Sequence, residues 1–133
     1  MNAISREEIA LYLKSAREAL AVSQLNIENE FCTAAINRAY YAVFYAASAL
    51  LVSRQIAHAK HSAVIAAFRQ HFVKTGLLPV EMSEIYGHIL EDRHESDYEL
   101  LSNLTIEDAR KDLQMAVYFV NTIKELLRSE NWL

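Results

Sequence analysis

The sequence predicts an all-α protein, an up-and-down bundle of about five helices. Its 133 residues include only two Gly and one Pro beside plentiful Ala, Leu, Glu and Ile, so helix formers abound and breakers are scarce. Apolar residues recur close to a helical period along most of the chain. The breaks between these stretches are short, which sets successive helices side by side. A chain of this length folds as one domain, residues 1–133, with a sizeable core.

Ser5 followed by Glu8 has the spacing of a capping box and predicts the start of a first helix. Ile9, Leu13, Ala16, Leu20 and Leu25 then mark its inner face, with Lys14, Arg17 and Glu18 opposite, to about residues 26–29. A second helix is expected over residues 30–54, and a loop at 58–60 leads to a third over 61–74. The segment 75–79 is the clearest break, with Gly76 as a C-terminal stop and Pro79 behind it. A fourth helix follows from Val80 to Tyr98. Thr105 and Asp108 give a second capped start, for a fifth helix to about Arg128 with Leu113, Val117, Val120 and Ile123 inward.

The second helix is apolar around nearly its whole circumference, through Ala35, Ala39, Ala42, Ala46, Ala47 and Ala49 with Tyr40, Phe44, Leu50 and Leu51. A small bundle leaves one side of each helix wet, so this excess predicts a homodimer in which a second copy covers the surplus. The most apolar run, residues 39–52, is too short to span a bilayer and includes three tyrosines, so no membrane role is expected. A polar, charged N-terminus does not read as a signal peptide. The single Cys32 excludes an internal disulfide, fits a reducing compartment and reads as a small core residue; the expected location is cytoplasmic.

Charge is unevenly placed. Residues 31–80 contain no Asp or Glu and carry +5, whereas the remainder carries −9, giving the net −4. A basic stretch of this kind can face an anion in an acidic protein. A buried segment that excludes carboxylates would produce the same composition, since Lys and Arg can reach water from a core where Asp and Glu cannot.

Within that stretch Asn37, Arg38, Tyr41 and Tyr45 share one helical stripe. An arginine in so apolar a helix needs a counter-group, because an unpaired buried charge is very costly. Either it binds phosphate, with tyrosines stacking beside it, or it pairs with a carboxylate from another helix. Lys60 and His61 fall near the positive end of the third helix, where a phosphate can bind. Arg93, His94, Asp97 and Tyr98 form a second polar group at the end of the fourth, with Arg93 and Asp97 at ordinary ion-pair spacing. His58 and His61 make an H-x-x-H without a nearby carboxylate, so no metal and no cofactor is expected.

The block A-I-N-R-A-Y-Y-A-V-F at residues 35–44 resembles the small prokaryotic branch of the HEPN family, the higher-eukaryote and prokaryote nucleotide-binding domain. Lys60-His61-Ser62, the segment 72–79 and the spacing of Arg93, Asp97 and Tyr98 extend the resemblance from about residue 6 to 127. It implies a four- to five-helix bundle that pairs as a dimer. It also implies association with nucleotide or RNA, and a minimal nucleotidyltransferase as partner in a toxin–antitoxin or defence system. Many HEPN proteins are metal-independent ribonucleases whose motif is Arg, four to six residues, then His. Here Arg93 matches the arginine, but Tyr98, Glu99 and Leu100 occupy the three histidine positions. An ordinary tyrosine is a poor general base at neutral pH.

Three readings follow from the resemblance and its departure. The first is a nucleotide- or RNA-binding module whose phosphate-binding residues are Asn37, Arg38, Tyr41, Lys60, His61, Arg93, Asp97 and Tyr98. The second is a metal-independent endoribonuclease in which His61 or His94 acts with Arg93 in place of the missing histidine. The third is a non-catalytic dimeric scaffold whose polar residues only satisfy the core.

Overall fold

The computed structural model describes residues 2–98 and 102–133. Five α-helices follow in order: α1 (Ala3–Glu28), α2 (Cys32–Val52), α3 (His61–Phe68), α4 (Val80–Tyr98) and α5 (Ile106–Ser129). No strand occurs among the described residues, and none of the helices is long and apolar enough to cross a membrane.

The helix starts show which local signals prevail. Asn2, not Ser5, caps α1, its side chain accepting the Ile4 N–H at 2.8 Å. Ser5 is already inside the helix and turned inward, 8% exposed, so it is not free to cap. Thr105 and Asp108 form the expected reciprocal box at the start of α5. Gly76 takes φ +81°, a conformation that suits glycine, where the third helix ends. That helix closes through a π-helical turn, Arg69–Val73, in which the Lys74 N–H reaches the Arg69 carbonyl at 2.9 Å.

Helix α2 is the hub and touches each of the other four helices. Its alanines 35, 39, 42, 46, 47 and 49 have no exposed surface, and the absence of larger side chains lets the neighbouring helices approach closely. The apolar excess that predicted a second copy is therefore satisfied within one chain. It does not by itself call for a dimer. Ile9, Leu13 and Ala16 from α1, Tyr86 and Ile89 from α4, and Phe119, Val120 and Ile123 from α5 complete the core. Two expected inward residues face outward instead: Leu25 is 56% exposed and Val117 39%, because the buried stripes run through Ile27 and Ala116. Cys32 is only partly buried, its thiol donating towards the Thr105 carbonyl at 3.2 Å.

A tyrosine platform with two arginines and a histidine

The central position of α2 fixes a row of aromatic rings at its edge. Tyr40 is buried to 1% and meets Tyr41 edge-on at 5.3 Å. Two arginines from different helices lie over these rings. The guanidinium carbon of Arg38 is 4.7 Å from the Tyr41 centroid. That of Arg93, from α4, is 5.3 Å from the same ring and 4.6 Å from Tyr40. The negative face of an aromatic ring attracts such cations without neutralising them.

Each guanidinium is also held from its own helix. Arg38 donates from Nε and Nη2 to the Asn37 carbonyl oxygen at 3.2 and 3.0 Å, a neutral partner. Arg93 donates from Nε to Asp97 Oδ2 at 3.1 Å. An open cleft of about 700 Å³ adjoins Arg38, with Asn37 and Asp97 also on its polar side and Val22 and Phe31 on its apolar side.

The third component comes from the start of α3. Tyr40 Oη and His61 Nδ1 are 3.0 Å apart, within hydrogen-bond distance. The imidazole also stacks on Phe44, with ring centroids 4.1 Å apart, and meets Tyr41 edge-on at 5.5 Å. Burial, and then the nearby charge of Arg93, hold His61 below the usual imidazole pKa. Both favour the neutral imidazole. Burial raises the Tyr40 hydroxyl, against the opposing pull of Arg93.

The structure thus brings Asn37, Arg38, Tyr41, His61, Arg93 and Asp97 together around Tyr40. Tyr40 was assigned to the core by its apolar surroundings. The available signal was that a buried tyrosine hydroxyl requires a partner. Lys60 precedes His61 and caps α3 without a side-chain bond. Tyr98 lies apart from the platform, 76% exposed and edge-on to His94 at 5.7 Å. Of the two histidines weighed for a role beside Arg93, it is His61 that the fold brings to the same tyrosines. His58, its partner in the H-x-x-H, lines a different cleft beside Tyr12 and Gln55.

The basic interval does not form one surface. Arg54 is engaged by Glu130 through two bonds of 2.8 and 2.9 Å, and Arg69 donates to the Ser83 hydroxyl at 2.8 Å. The platform gains its second guanidinium from Arg93, outside the interval.

A helical bundle with this platform belongs to a class of small all-α domains that offer cations on aromatic faces. Comparison with known proteins makes the class specific. The family pattern described as HEPN domain matches residues 9–127, and the chain belongs to that family. A UPF0332 protein of Thermotoga maritima is 37% identical over 119 residues, covering 90% of each chain. Two proteins of Methanocaldococcus jannaschii, named putative toxin MJ0142 and putative toxin MJ0605, are 32% and 35% identical. The alignments cover 95% and 96% of this chain, and 86% and 95% of those proteins. The crystal structure of ST0689, an archaeal HEPN homologue, superposes with a TM-score of 0.69 at 16% identity. It covers 88% of this chain and 95% of that one, which establishes the shared fold.

Proposed function

We propose that this HEPN protein is a toxin-like module that binds the phosphates of RNA or a nucleotide at the tyrosine platform. The observation that carries the reading is that Arg38 and Arg93, from different helices, lie over the single ring of Tyr41. Two cations converging on one ring raise the local positive potential, and a phosphate that accepts bonds from the forks offsets it. Val22 and Phe31 give a base an apolar surface beside that phosphate. The toxin assignment rests on the names of the two archaeal relatives. The same proposal includes a homodimer and a minimal nucleotidyltransferase as partner, acting in the cytoplasm. A light-scattering mass equal to one 15.2 kDa chain at micromolar protein argues against the dimer. Affinity of Arg38→Met and Arg93→Met for a labelled RNA oligonucleotide tests the binding site.

One observation favours a catalytic reading as well. His61 and Arg93 meet at the same tyrosines, so the proton-transfer group missing at position 98 has a counterpart from α3. In such a reaction the RNA 2′-oxygen attacks phosphorus as it loses its proton to the imidazole. The P–O5′ bond breaks, the 5′-oxygen takes a proton from water, a 2′,3′-cyclic phosphate remains, and the arginines stabilise the phosphorane. Cleavage of labelled RNA in EDTA, lost in both His61→Ala and Arg93→Ala, is the supporting result. Absence of cleavage by micromolar wild-type protein leaves binding as the function.

A further inference from the structure

The seam between α4 and α5 holds a cluster of ionisable side chains that the tyrosine platform does not use. His88 and Asp92 stand one turn apart on one face of α4, with His88 Nε2 3.2 Å from Asp92 Oδ2. Asp112 comes in from α5, its Oδ1 3.4 Å from the same nitrogen. One donor atom from each of the three lies within 4.8 Å of the others. Asp112 has no exposed surface, and apart from the His88 contact neither of its carboxylate oxygens has a hydrogen-bond partner among the described residues. A buried carboxylate so thinly partnered is costly for a core to hold.

We propose that His88, Asp92 and Asp112 bind one first-row divalent cation, which clamps α4 to α5. Donors about 2.0–2.1 Å from a four-coordinate ion stand roughly 3.4 Å from each other, close to the separations at His88 Nε2. One imidazole with two carboxylates suits Zn²⁺ or Co²⁺ better than the oxygen-seeking Mg²⁺ or Ca²⁺. The His88 side chain is 53% exposed, which leaves the ion a path from solvent and room for water ligands. A bound cation supplies the buried Asp112 carboxylate with the partner it lacks. Asp92 directly precedes Arg93, so the clamp also fixes the register in which α4 presents Arg93 to Tyr41. The cluster contrasts with the H-x-x-H of His58 and His61, whose two rings do not converge.

The test is a calorimetric titration of chelator-stripped full-length protein with Zn²⁺, with Co²⁺ as the visible-absorption probe. The expected result is one Zn²⁺ per chain and a higher thermal midpoint. His88→Gln should lose at least about tenfold in affinity, and Asp112→Asn should lose both the binding and the Co²⁺ band. His58→Gln and His94→Gln should match wild type. The proposal is overturned if the stripped protein takes up no stoichiometric Zn²⁺, or if His88→Gln binds as tightly as wild type. It is also overturned if Zn²⁺ leaves stability unchanged while Asp112→Asn stabilises the stripped protein, the signature of two carboxyls sharing a proton. Should Asp112→Asn fail to fold, His88→Gln decides alone, because its side chain is half exposed.

Discussion

Replacing Arg93 with Met removes a charge from the platform while keeping most of the side-chain stem. A charge-assisted hydrogen bond contributes about 1.5–3 kcal/mol, so RNA affinity should fall about 10- to 150-fold. The same change costs the fold less. Asp97, already 23% exposed, hydrates when its partner leaves. Each lost contact with a tyrosine face is worth about 0.5–2 kcal/mol, partly returned by no longer desolvating a guanidinium. The variant should therefore stay folded at 25 °C, which urea denaturation checks directly. Arg38→Met should weaken binding over the same range. The double variant should lose less than the product of the two, because both cations share Tyr41 and one bound phosphate.

The control is Arg54→Met, which makes the same change in net charge elsewhere. Arg54 is paired with Glu130 and lies over Phe72, so its loss should cost up to about 1 kcal/mol of stability and leave affinity unchanged. Fluorescence anisotropy with a labelled single-stranded RNA, repeated at several salt concentrations, reads the wild type and all four variants. Each platform arginine that neutralises one phosphate should reduce the salt slope by about 0.7. The reasoning fails if both platform variants bind within twofold of wild type. It fails equally if Arg54→Met loses as much as they do, since bulk charge would then account for binding.

Three further outcomes follow from the same contacts. His61 has a folded pKa below the ordinary 6.5, so its contribution to stability is complete above that value and is lost as pH falls through the lowered one; the decline should be shallower in His61→Gln, read by thermal unfolding between pH 8 and 5. Thr105→Ala breaks the capping box that starts α5 and should cost about 0.5–2 kcal/mol in urea denaturation. Gly87 lies inside α4, where alanine is favoured by about 1 kcal/mol. Its added methyl meets Nη2 of Arg69 at 3.0 Å, and that guanidinium is tied to Ser83, so Gly87→Ala should raise the thermal midpoint by less than the helix preference alone would give.

Features set by neighbouring residues were legible from the sequence, and features set by distant ones were not. The bounds of α4, the Thr105–Asp108 box and the Gly76 stop each depend on a few adjacent residues, and each stands where local chemistry puts it. Ser5 misled because Asn2 offers the same kind of cap one turn earlier. The apolar circumference of α2 was visible, but whether it faces other helices of its own chain or a second copy depends on topology. Asn37, Arg38 and Tyr41 could be grouped by helical spacing. Arg93 joins them from α4; its helical spacing to Asp97 was visible, but its approach to Tyr41 was not. The contact of Tyr40 with His61 and the approach of Asp112 to His88 cross between helices, so no local pattern announces either.

The platform shows why net charge is a poor guide to what this protein can bind. Arg54 is an exposed cation, but Glu130 grips it at two points and little of its field remains for a ligand. At the platform the cations are held by other means: ring faces attract them, and the Asn37 oxygen orients Arg38 without carrying a charge. Asp97 binds Nε of Arg93. The alanine-packed α2 holds those rings in place, so the two guanidiniums are oriented without a ligand. That preorganisation is what the proposed anion site requires of a chain with net charge −4.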